Sequence, residues 1–252
     1  MTTEDTGHAP RKLRVWDLPT RLFHWSLLVL VLVSWFSGGE EDTAFIHRLS
    51  GMLLAGLIVF RVLWGFVGGE HARFAAFFPN PRAIIAHIKN TAAGRPDRHL
   101  GHNPVGGVAV FLLLASVSAC VITGLFSSGE GLSGPFVSKF GLDMSEIHEL
   151  TFRALQALVA LHLLGVVFET WRSKDPLVPA MITGRKTRRP DEPGRDAKPG
   201  SAPALVIALL IGAATTAGLW ALPAPAPTED GEQASERGGE EEHDEDRERD
   251  RD

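Results

Sequence analysis

Apolar residues run along this chain in five long blocks. The first, Leu22 to Phe36, and the third, Asn103 to Phe126, contain no Asp, Glu, Lys or Arg. The second, Ile46 to Val67, has only His47, Arg48 and Arg61 as ionisable residues. The fourth, Ile147 to Trp171, carries His148, Glu149, Arg153, His162 and Glu169; the fifth, Pro203 to Leu222, is uncharged. A helix rising ~1.5 Å per residue needs ~20 residues to cross ~30 Å of hydrocarbon. The pattern therefore predicts an all-α integral membrane protein: a four-helix transmembrane bundle plus a fifth C-terminal transmembrane helix. Asp17 with Pro19 predicts the start of the first helix and Gly38-Gly39 its stop. No A-x-A cleavage site follows this helix, so it is expected to be retained rather than removed as a signal peptide.

The expected organisation is a cytoplasmic N-terminal segment (1–14), a bundle domain (15–186), a polar linker (187–202), the fifth helix (203–222) and an acidic disordered tail (223–252). Ala208, Gly212 and Thr216 recur every four residues and predict a small-residue packing face on the fifth helix. Lying beyond the linker, that helix is expected to be an appendage to the core bundle. Charge sharpens this division. Residues 229–252 hold 13 acids and 4 arginines, net -9, so the rest of a chain of net charge -5 carries +4. A lone cysteine, Cys120, supports neither an intrachain disulfide nor a cysteine-ligated metal site, and the absence of tyrosine excludes tyrosine chemistry.

Basic and acidic loops alternate. Four Lys or Arg precede the first span, none lies from Gly38 to His47, five lie from Gly68 to His102, one from Ser127 to Ile147 and eight from Arg172 to Lys198. The positive-inside rule then places the N-terminus in the cytoplasm and sends helices one to four out, in, out, in. The fifth helix would carry the acidic tail to the periplasm.

Four of the ten histidines lie in or at the ends of spans: His24, His47, His148 and His162. His148 and His162 are 14 residues apart, so they differ by only ~40° in direction and lie ~21 Å apart along one helix. One helix face thus offers imidazoles at two membrane depths. The alternating topology supplies partners: His24 with His162 at the inner level, and His47 with His148 at the outer. Two axial imidazole pairs stacked in a four-helix bundle would hold two b-type haems. Arg61 follows His47 by 14 residues and reaches the inner level, where it would pair with a haem propionate or else snorkel to the surface. Gly51 and Gly165, one turn from His47 and His162, would admit a flat macrocycle or close helix packing. His71, His87, His99 and His102 in the basic loop, with His8 and His243 in the polar ends, match no metal motif and are expected to be solvated or capping. No Walker loop, dinucleotide fingerprint, zinc-protease motif or G-x-S-x-G is present.

Several fragments, in order, resemble one family. They are Val15-Trp16-Asp17-Leu18-Pro19-Thr20-Arg21 leading into Phe23-His24-Trp25; His47-Arg48 with Gly51; Phe60-Arg61-Val62-Leu63-Trp64-Gly65-Phe66 with Ala72-Arg73-Phe74; His102-Asn103-Pro104; Ile147-His148-Glu149 followed by His162; and Met181-Ile182-Thr183-Gly184. Together, across about residues 14–186, they resemble the bacterial cytochrome b561 family, which includes the b-type cytochrome subunits of nickel–iron hydrogenases. The resemblance implies four core helices, two haem b groups, and axial ligand roles for His24, His47, His148 and His162. It also implies electron transfer between the quinone pool and a redox partner.

Three functions follow. The first is a transmembrane electron carrier of the bacterial inner membrane, linking quinone to a basic periplasmic cytochrome c or to an oxidoreductase subunit such as a hydrogenase. The second is a stand-alone quinone oxidoreductase acting on a small redox substrate such as superoxide. The third is a transporter moving protons or metal ions through its intramembrane histidines. No nucleic-acid partner is expected.

Overall fold

A computed structural model of the protein describes residues 11–39, 41–95, 99–129, 133–187 and 194–222. The N-terminal histidine His8 and the whole acidic segment with His243 lie outside the described residues. Among the described residues, eight α-helices and one two-stranded ribbon form in the order β1 (Lys12–Arg14), α1 (Leu18–Phe36), α2 (Ala44–Val67), α3 (Pro81–Ala92), α4 (Pro104–Gly124), α5 (Val137–Phe140), α6 (Ser145–Ser173), α7 (Leu177–Thr183), β2 (Arg185–Thr187) and α8 (Ala202–Trp220). Five of them, α1, α2, α4, α6 and α8, are long and apolar enough to cross a membrane. Bulky apolar side chains such as Leu161, Leu164 and Val167 of α6 stay exposed, as they do where lipid replaces water around a bundle.

The helix starts follow from the sequence. Asp17 caps α1 by accepting from Thr20 N at 2.8 Å, with Pro19 in the first turn. Asn103 caps α4, accepting from Gly106 N at 2.6 Å ahead of Pro104, and Ser201 caps α8. Asp17 does more than cap. Its second carboxylate oxygen accepts from Trp64 Nε1 and from Gly69 N, both at 3.2 Å, and so ties the start of α1 to the end of α2.

The two ends of the bundle domain close on each other. β1 pairs antiparallel with β2, Leu13 facing Lys186. The Gly184 carbonyl accepts from Val15 N at 2.9 Å and Trp16 N at 3.2 Å. Gly184 sits at φ 76°, and a side chain there would strike the Trp16 carbonyl, so only glycine ends α7 in this way. Arg21 completes the joint by donating to the carbonyls of Met181 and Ile182. The Val15–Arg21 and Met181–Gly184 segments, far apart in sequence, are thus two halves of one contact.

Two expectations are corrected. The fifth span is not an appendage: α8 packs along α2, with Ala208 and Gly212 buried against it. A Cβ at Gly56 of α2 would collide with Thr216 Oγ1 and the Gly212 carbonyl, so these helices approach backbone to backbone. The linker ahead of α8 is docked as well. Arg195 forms a two-toothed ion pair with Glu70 at 2.8 Å, and Lys198 N donates to the same carboxylate at 3.0 Å. These bonds hold the Glu70 carboxyl down at about 2. Nor are the histidines of the basic loop all solvated or capping, as expected, because that loop is itself folded. It contains α3, begun by Asn80 and Pro81, and it folds over one end of the bundle. His87 is consequently buried with its ring 5.7 Å from that of His99, and His102 lies between Trp16 and Phe77.

Candidate functional site

α6 presents His148 and His162 at two levels of the bundle. Leu155 stands midway between them and is buried against Ile58 of α2 and Val117 of α4. An apolar layer therefore separates the level of His148 from that of His162, the levels expected to be outer and inner. The close helix pairs among the first four spans are α1 with α2, α4 with α6, and more sparingly α2 with α4. The backbones of α1 and α2 approach α6 less closely than that of α4 does, which leaves room between the helices that carry the four histidines.

At the outer level the rings of His47 and His148 have centroids 6.2 Å apart and planes at 89°. Each ring is held through its Nδ1. His47 Nδ1 is bonded to the Ser34 carbonyl and His148 Nδ1 to the Cys120 carbonyl, both at 2.9 Å. A ring nitrogen donating to a carbonyl fixes the tautomer and leaves Nε2 with a free lone pair for a metal. Thr123 Oγ1 lies 3.2 Å from His148 Nδ1, and Ser34 and Ser50 hydroxyls meet at 2.6 Å beside His47. Gly124 lets the His148 ring lie against α4, because a Cβ there would stand 3.0 Å from His148 Cε1.

At the inner level stand His24, in the first half of α1, and His162, in the second half of α6. His24 Nδ1 is buried and has no hydrogen-bond partner. Arg61 is 4 % exposed, so it does not snorkel to a surface. Its guanidinium lies 4.7 Å from the Phe74 ring centre and 5.8 Å from that of Phe23, and Nη1 is buried without a partner. Gly65 is needed here, since any side chain would drive into the Phe74 ring beneath Arg61.

Beside the inner level, a cavity of about 420 Å³ is lined by His71, Phe77, His99, His102, Asp175 and Lys186. Asp175 and Lys186 form a buried ion pair at 2.9 Å, and Lys186 Nζ also donates to the His99 carbonyl at 3.2 Å. Burial, then the positive charges of Arg61 and Lys186, push His102 down to about 3, so it is neutral at physiological pH. Burial likewise lowers His71.

A family model described as prokaryotic cytochrome b561 matches residues 15–184. The chain belongs to the prokaryotic cytochrome b561 family. Among curated relatives, a probable Ni/Fe-hydrogenase B-type cytochrome subunit of Bradyrhizobium diazoefficiens is 27 % identical, over 69 % of this chain and 86 % of the relative. A protein of the same name from Rhizobium leguminosarum bv. viciae is 28 % identical, over 68 % and 87 %. The probable Ni/Fe-hydrogenase 1 B-type cytochrome subunit of Escherichia coli is 26 % identical, over 69 % and 91 %. No solved structure matches the chain.

Membership makes the chain a membrane cytochrome of b type, which implies haem b, and the residues present fit that group. Metal–imidazole bonds of about 2 Å put the centres of two rings sharing one metal about 6 Å apart, close to the outer pair's separation. A Cβ added at Gly51 or Gly165 would meet nothing within 4 Å, so these glycines border open space and not a packed helix. The bare Arg61 nitrogen suits a carboxylate. Sequence reasoning missed further groups of this kind, among them Arg48 and His102. Arg48 Nε and His102 Nδ1 are both buried without a partner. The signal was present for each, since Arg48 adjoins His47 and His102 precedes the Asn103-Pro104 helix start.

Proposed function

We propose that this cytochrome holds two haem b groups and carries electrons across the bacterial inner membrane between the quinone pool and a redox partner. His47 with His148 would ligate the outer haem, and His24 with His162 the inner. The observation that carries the reading is the perpendicular His47–His148 pair, each ring locked through Nδ1 with Nε2 left over. The bound haems would supply reversible one-electron chemistry, while the chain fixes their depth and keeps water from the Leu155 layer between them. The charge pattern of the loops supports a cytoplasmic N-terminus and a periplasmic acidic tail.

A quinone takes up protons together with electrons. The cavity beside the inner site is lined by His71, His102 and the Asp175–Lys186 pair, which supports placing the quinone terminus there. The names of the relatives support a Ni/Fe-hydrogenase as the other terminus; a basic periplasmic cytochrome c remains the alternative, with segment 229–252 as its docking field. The test is reduction of the purified protein by a water-soluble quinol. The intact chain is expected to become fully reduced. His162→Ala is expected to leave the outer haem reducible by dithionite but not by quinol. Unchanged quinol reduction in that variant would overturn the assignment of the quinone terminus.

Arg61 is proposed to pair with a propionate of the inner haem. Removing its positive charge disfavours the electron-rich reduced state. A redox titration of Arg61→Gln is expected to show the inner potential lowered and the outer one unmoved. Equal shifts at both haems would remove Arg61 from this role.

A further inference from the structure

Helix α3 has three unlike faces. His87 is buried and Ala83, Ile84 and Thr91 are half-buried, which marks the side packed toward the bundle and α4. Ile85 and Ile88 are 54 % and 53 % exposed. At ~100° per residue, Pro81, Ile85, Ile88 and Ala92 fall within a stripe about 60° wide, roughly 110° away from the packed side. Arg82 and Lys89 flank that stripe on its far side, and Asn90 lies beyond them. Large apolar side chains on an exposed face, bordered by basic ones, are the marks of a helix lying in a membrane interface.

The placement of α3 in the fold agrees. The segment that contains it leaves one span, α2, at Val67 and enters the next, α4, at Pro104, so α3 lies at a bilayer surface whichever way the protein faces. Exposed apolar side chains also flank α3 in the chain. Phe78, 71 % exposed, leans edge-on against Phe111 of α4 at 5.9 Å, and Val105 and Leu112 of that span are exposed as well. Charge selects the lipid. Residues 71–95 contain Arg73, Arg82, Lys89 and Arg95, all exposed, and no Asp or Glu.

We propose that α3 is an interfacial anchor that binds anionic phospholipid, with Phe78, Ile85 and Ile88 in the acyl region and Arg82 and Lys89 at the headgroups. Through His87, whose ring adjoins that of His99 in the cavity wall, the anchor would set the depth of the cavity mouth relative to the headgroups. The inference rests on the membrane placement of the bundle and not on the haem assignment.

The test uses the full chain in lipid nanodiscs, with an environment-sensitive fluorophore on Ile88→Cys or on Asn90→Cys. The signal of the identically labelled wild type, whose Cys120 lies within α4, is subtracted. Both positions are exposed, so neither label should disturb folding, and the absorbance spectrum checks this. In phosphatidylglycerol discs the label at 88 is expected to be quenched by brominated lipid and to show several-fold weaker iodide quenching than the label at 90. Phosphatidylcholine, or the Arg82→Gln plus Lys89→Gln variant, is expected to raise iodide quenching at 88. Three results would overturn the proposal: equal iodide quenching at the two positions, which means a water-facing helix; shielding of 88 from both quenchers, which means a protein partner or second copy; or indifference to lipid charge.

Discussion

Replacing His148 or His162 with alanine is expected to remove one haem in each case and to leave the other in place. The two residues lie 14 positions apart on α6, but the apolar layer at Leu155, Ile58 and Val117 lies between them, and their proposed partners, His47 and His24, stand on different helices. Losing one ligand of a pair leaves an open coordination position, and a haem held only by its second imidazole is bound far more weakly. The pyridine haemochrome assay should therefore read about half the wild-type haem per chain for either variant, and close to none for the double variant. Retention of the full complement in either single variant would take that histidine out of the ligand set.

The second large effect is structural. Lys186 and Asp175 are 3 % and 5 % exposed in their side chains and lie 2.9 Å apart. They sit where β2 closes against β1 and where the chain leaves α6. Substituting Lys186 with methionine removes the buried ammonium but keeps most of the side-chain volume. The cost is expected to be about 3–5 kcal/mol, since a buried carboxylate then loses the ammonium beside it. Changing Asp175 to leucine at the same time should recover much of that loss, because a well-packed apolar pair can replace a buried ion pair. Detergent-micelle unfolding of the single and double variants measures both numbers. A single variant as stable as wild type would show that the pair contributes little to the joint between the chain ends.

The spans were legible in the sequence because a membrane helix depends on little else than a long uncharged run and its caps. Asp17 and Asn103 act where the local pattern puts them, and the histidine depths follow from helix geometry. The docking of α8 was not legible. The Ala208, Gly212 and Thr216 stripe was visible, but its partner on α2 is Gly56, a single glycine whose meaning appears only when two backbones meet. The fold of the basic loop was hidden for a related reason. His87 and His102 lie in polar, charged sequence, and their burial depends on contacts with Trp16, Phe77 and His99 that local pattern cannot encode. Gly184 was recognisable as part of a motif. Its reason, a left-handed turn pressed against the Trp16 carbonyl, is a long-range one.

If two imidazole pairs at two depths each hold a haem, electron paramagnetic resonance of the oxidised protein will resolve both. The His47 and His148 planes stand at 89°. Perpendicular imidazoles act on different iron orbitals and leave these nearly degenerate, which gives a low-spin ferric signal of large anisotropy. The account predicts two low-spin ferric centres per chain, one of them strongly anisotropic, lost in His148→Ala and kept in His162→Ala. A single low-spin centre, or a high-spin signal as the main species of the wild-type chain, would contradict it.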